Sequence, residues 1–65
     1  MDTVYADKLK DLRGDVPQRV VAEAIGINQS TYAMYETGQR TPSDEKKRRI
    51  AAYFGRTVQE IFFDS

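Results

Sequence analysis

The sequence predicts a compact all-α domain of five short helices. Apolar residues recur at intervals of three and four, a glycine or proline punctuates each run, and no segment carries a strand signal. The first helix is expected from about Thr3 to Arg13, with Tyr5, Leu9 and Leu12 as its buried stripe. Gly14-Asp15-Val16-Pro17 ends it, and Pro17 suits the boundary of the second helix. That helix opens at Gln18. Val21 and Ile25 lie four apart, Ala22 and Ala24 widen their stripe, and Arg19 and Glu23 face water. Gly26 supplies a left-handed turn residue, and Ile27 re-enters the core.

Asn28 can accept free amides at the start of the third helix, which runs from about Gln29 to Thr37. Gly38 caps that helix, and Gln39-Arg40-Thr41-Pro42 form a short loop. Thr41 or Ser43 caps the fourth helix, whose apolar positions are Ile50, Ala51 and Phe54. Lys47 falls on the same arc, so its stem covers the core edge while its amine reaches water. Gly55 closes this helix. Thr57 and Glu60 then have the spacing of a capping box, opening a last helix that bears Val58, Ile61 and Phe62.

Composition narrows the function. A chain of 65 residues suits one small domain near the lower limit of what folds unaided. It has no cysteine and no histidine, which removes disulfides, zinc sites built on those residues, thiol nucleophiles and imidazole acid–base chemistry. With no clustered carboxylate pair either, no catalytic constellation is present, and neither a cofactor, a metal nor a small-molecule ligand is expected. No signal-peptide pattern and no apolar run of membrane-spanning length occurs, so a cytoplasmic protein is expected.

Ten basic and ten acidic residues cancel, and the pI is near 6.2, below the value typical of a strong nucleic-acid binder. The distribution is uneven. Residues 1–17 carry a net −1, residues 18–42 balance at zero, residues 43–56 carry +3, and the tail carries −2. A local positive patch is therefore available. Weak non-specific binding follows, with affinity resting on individual contacts.

The third helix is the most informative stretch. At 100° per residue, Thr31, Tyr32 and Tyr35 share one arc, while Gln29, Ser30, Ala33 and Met34 fall on the opposite one. An outer face of one amide, one hydroxyl and small or flexible groups is shaped to enter the major groove of DNA. The four tyrosines follow helix spacing and are expected at the core or its edge, not as a base-stacking platform. Lys46-Lys47-Arg48-Arg49 spans over half a helical circumference, so it reads first as a solvated face.

Taken in order, Gln18, Ala22, Gly26-Ile27, Tyr35-Glu36-Thr37-Gly38, Arg40, Pro42, Ile50-Ala51, Phe54-Gly55 and Glu60-Ile61-Phe62 resemble the lambda-repressor-like helix-turn-helix family of phage repressors, Cro proteins and Xre-type regulators. The resemblance runs from Leu9 to Phe62 and implies a double-stranded DNA operator as partner. It implies that Gln18 bonds a phosphate and braces Gln29, and that Gln29 reads a base edge, adenine being its best bidentate match. It further implies that Ser30 meets a base edge or a phosphate, and that Ala33 and Met34 give apolar contact, for example with a thymine methyl. Asn28, Arg40 and the amides around Gly38 would hold the sugar-phosphate backbone. Arg13 and Glu36 are expected as a partly buried, structural ion pair. Tyr32 stands where relatives carry a branched aliphatic residue; it either tilts the recognition helix or brings a hydroxyl to a phosphate.

Two adjacent aromatics cannot both point inward, so Phe63 is expected in water beside a core-facing Phe62. The resemblance implies symmetric dimers on two half-sites, and a weak homodimer through Arg56, Val58, Ile61 and Phe63 is expected. Phe63 at a frayed terminus is the plainer alternative. The expected function is thus a sequence-specific transcriptional regulator of phage or bacterial repressor type. Its rival is a protein-interaction module on the same scaffold, such as an antirepressor, adaptor or antitoxin, favoured by the zero net charge and by Phe63.

Overall fold

In the computed structural model, which describes residues 4–63, helices α1 (Val4–Arg13), α2 (Gln18–Ile25), α3 (Gln29–Thr37), α4 (Asp44–Phe54) and α5 (Val58–Phe62) follow one another with short turns. These are the five helices the sequence predicts; the expected start of the first at Thr3 lies outside the described residues. Packing closes a ring: α1 lies on α3, α3 on α2, α2 on α4, α4 on α5, and α5 returns to α1. Every helix therefore contributes to one shared core, at whose centre Leu9, Val21, Tyr32, Ile50 and Ile61 are almost fully buried.

Local chemistry sets the ends. Gly26 adopts φ 91°, and the Ile27 amide closes back on the Ala22 carbonyl at 3.0 Å. A Cβ at Gly26 would also meet the Arg49 guanidinium at 3.1 Å, so both conformation and space favour glycine there. Asn28 accepts the Thr31 amide at 2.8 Å. Ser43, rather than Thr41, caps α4 by accepting the Lys46 amide. Thr57 and Glu60 complete the reciprocal capping box that opens α5.

Two helices are rotated from expectation. Ala24 is exposed, and the buried stripe of α2 is Val21, Ala22 and Ile25. In α1, Ala6 is buried with Tyr5 and Leu9, and Leu12 is only half-buried against the core. Thr41 takes up another task. Its hydroxyl and the Arg40 carbonyl both bond the Tyr5 hydroxyl, at 3.3 and 3.1 Å. With Pro42 buried as well, the loop after α3 is pinned against the body of the fold.

Candidate nucleic-acid interface

Helix α3 divides cleanly into an inner and an outer face. Tyr32, Tyr35 and Glu36 are buried, Gln29 and Ser30 are exposed, and Ala33 and Met34 are half-buried at the rim of the outer face. The outer face carries no formal charge. Its donors and acceptors are neutral, a composition suited to base edges rather than to phosphates alone.

The two flanks of that face differ. On one side stands the start of α2, where Pro17 offers no capping side chain. Gln18 is half-buried there, and its Nε2 donates to Glu36 Oε1 at 3.0 Å instead of turning to Gln29. On the other side lies a groove of about 600 Å³ between α3, the following loop and α4. Asn28, Thr31, Arg40, Thr41, Ser43 and Lys46 contribute its polar lining, and no carboxylate does. Among the described residues, neither Arg40 nor Lys46 has a carboxylate partner. By contrast, Arg19 pairs with Glu23, and Arg49 pairs with Glu45 while also donating to the Ile25 carbonyl. Cationic side chains are thus unpaired where the groove opens beside α3. Gly38, half-buried at φ 78°, ends α3 at the root of this groove's loop.

Behind the outer face, Arg13 and Glu36 form a bidentate pair, with Nε to Oε2 at 2.6 Å and Nη2 to Oε1 at 3.0 Å. The Arg13 side chain is 20% exposed and that of Glu36 2%. Burial pushes the Glu36 carboxyl up, but bonds from Arg13 and Gln18 and the nearby Tyr32 hydroxyl outweigh it and hold the group below its ordinary value. The arrangement clamps α1, α2 and α3 together directly under the outer face.

Two expected site residues prove to be something else. Tyr32 is completely buried, so its hydroxyl cannot reach a phosphate; the ring fills the core and sits edge-on to Tyr35 at 6.4 Å between centroids. Ile61 is 2% exposed and packs between α1 and α4, which removes it from any surface contact between copies. Helical spacing had placed both at core positions, and the core claims them because each is large and apolar enough to fill it. Arg56 and Phe63 are exposed, and Val58 is half-buried against the core. The Lys47 amine lies over the Phe63 ring at 4.8 Å and near the Phe62 ring at 5.5 Å. Lys46 and Thr41 on the groove wall were not named as DNA contacts of their own from the sequence, where Thr41 is a possible cap and Lys46 one member of a basic run. A basic residue one turn into a helix gives no sign of which way it faces until neighbouring elements are placed.

Comparison with known proteins agrees with this geometry. A family model described as helix-turn-helix matches residues 9–61. The chain is also similar to the cryptic phage CTXphi transcriptional repressor RstR of Vibrio cholerae, with 34% identity over 64 residues. That alignment covers 95% of this chain but only 58% of the relative, so the chain spans little more than half of its length. No solved structure gives a significant match. The matched span includes α2, its glycine turn and α3 with its neutral outer face, and the chain belongs to the helix-turn-helix family.

Proposed function

We propose that this chain is a sequence-specific DNA-binding transcriptional regulator of the phage or bacterial repressor type. The exposed, uncharged outer face of α3 between two phosphate-compatible flanks carries this reading. A helix in a major groove has a sugar-phosphate strand on each side. Here Gln18 and the uncapped start of α2 meet one strand, while Asn28, Arg40 and the amides around Gly38 meet the other. Gln29 and Ser30 read base edges between them, with Ala33 and Met34 in apolar contact. Arg13 and Glu36 serve as scaffold.

Occupancy is the mechanism: two copies place their α3 helices in successive major grooves and obstruct polymerase. The copies meet through Arg56, Val58 and Phe63, the last two of which line a groove of about 420 Å³ with Asp44, Lys47 and Arg48. Selection of duplexes from a random pool tests the whole reading. It should return a half-site, and a symmetric pair of half-sites about one turn apart if two copies act together. Recovery of unrelated sequences would sink it. Sedimentation with and without the selected duplex tests the pairing; a strict monomer in both removes the dimer and leaves the reading of α3 intact.

A protein-interaction module on the same scaffold is the second reading. It is favoured by Phe63, which stays 53% exposed, and by a net charge of zero. Failure to select any duplex, together with stable capture of a protein partner lost on Phe63→Ser, would turn the assignment that way.

A further inference from the structure

The loop that carries Arg40 has little backbone support of its own. The Gln39 amide closes on the Met34 carbonyl at 3.0 Å, and among the described residues no backbone–backbone bond then involves residues 40–42. A contact made from so loosely tied a segment carries the entropy cost of ordering the chain.

Tyr5 supplies support from 35 positions away. Its single hydroxyl proton goes to the Arg40 carbonyl at 3.1 Å, so the same oxygen accepts from the Thr41 hydroxyl at 3.3 Å. The residue is only 7% exposed, and its ring leans on Phe62 of α5 with 5.6 Å between centroids. A phenylalanine ring would fill the same place in the core. The hydroxyl therefore serves the loop, and the ring serves the packing of α1.

Arg40 is what this loop presents outward. Its side chain is exposed, lines the groove beside α3 and has no carboxylate partner among the described residues. Carbonyl and side chain belong to one residue, so a carbonyl held against Tyr5 also fixes the point from which the guanidinium sets out.

We propose that Tyr5 is a positioning residue for phosphate binding: its hydroxyl holds the Arg40 carbonyl inward and so preorganises the Arg40 guanidinium in the groove beside α3. Tyr5 itself touches no DNA. Its contribution is backbone order already in place before a duplex arrives. This inference rests on the DNA-binding reading, and it can fail while that reading stands.

The test measures affinity for a duplex that the parent chain recovers from a random pool. It compares the parent, Tyr5→Phe, Arg40→Ala and the double variant, each well below its Tm. Tyr5→Phe should weaken binding about three- to tenfold with Arg40 present, the equivalent of one net hydrogen bond, and less than about twofold with Arg40→Ala. Matched and mismatched duplexes should weaken by the same factor, because phosphate contacts carry no sequence information. A hydroxyl that matters only for folding would lower Tm and weaken binding equally in both backgrounds, and that result overturns the proposal. Unchanged affinity of Tyr5→Phe overturns it as well, with the reading of α3 left intact. A parent chain that recovers no duplex sinks the DNA-binding reading itself and this inference with it.

Discussion

Helices α3 and α4 bury comparable inner faces in the same core but present opposite chemistry outward. Outside Tyr32, Tyr35 and Glu36, α3 shows water an amide, hydroxyls, an alanine and a methionine. Outside Ile50 and Ala51, α4 shows Asp44, Glu45, Lys46, Arg48 and Arg49. Charge on α4 is partly neutralised within the helix, through the Glu45–Arg49 pair at 2.9 Å. Exposed pairs of this kind contribute little to stability and keep a surface solvated. Neutral groups on α3 are poor at attracting a polyanion but good at distinguishing base edges. On the proposed reading, the contrast separates where a duplex would be read from where it would be merely attracted, and a chain of zero net charge can still carry such a surface.

The comparison can be broken at its base first. Ile50 of α4 is fully buried. Replacing it with alanine should cost about 3–4 kcal/mol in denaturant unfolding. A domain of this size holds on the order of 0.05–0.15 kcal/mol per residue, roughly 3–10 kcal/mol in all, so the variant should lose a large share of its stability. Survival with little loss would mean that α4 does not share the core of α3.

Next in size is the ion pair beneath α3. Glu36→Ala should lose about 3 kcal/mol, since it strands the Arg13 guanidinium, which is only partly able to reach water. The same carboxylate sets an acid limit. Its folded-state value lies below the ordinary 4.5, so the stability it confers is complete above that value and is lost as pH falls from there through the lowered folded value. Glu60, held down chiefly by the Thr57 backbone amide, acts in the same direction. Unfolding curves should show this acid loss, and Glu36→Gln should flatten it; an unchanged pH profile would remove Glu36 as its source.

The reading face and its flank come third. Gln29→Ala should cost about 1–3 kcal/mol on a selected duplex and relax preference at one base position. Arg40→Ala should weaken all sequences alike and reduce the salt slope by about one unit. Fluorescence titrations over a salt series distinguish the two. If both variants bind as the parent does, the outer face of α3 has no role in reading.

The smallest effect sharpens the contrast from the other side. Arg48→Ala on the exposed face of α4 should change stability by no more than about 0.5 kcal/mol. A larger destabilisation would show that α4's charges do structural work.

Much of this was legible along the chain because it depends on residues within one or two turns of each other. The Asn28 cap, the glycine ends and the Thr57–Glu60 box each join residues three to five positions apart. The two arcs of α3 follow from spacing alone. Where spacing misled, a neighbour decided. Ala24 and Leu12 lie at plausible stripe positions, yet the packing of α2 and α1 turns them outward or to the edge. Tyr32 and Ile61 drew roles at the surface from analogy, although their own helical positions pointed inward.

The sequence by itself determined five helices, their ends, and a neutral outer face on the third, because helical period and capping are short-range properties of the chain. Tertiary structure alone decided that Gln18, eighteen positions before Glu36, donates to its carboxylate. It also decided that the Tyr32 hydroxyl is buried beside them, and that Arg40 and Lys46 line one groove. Those relations depend on how helices cross, and crossing is settled by close packing of side chains far apart in the chain.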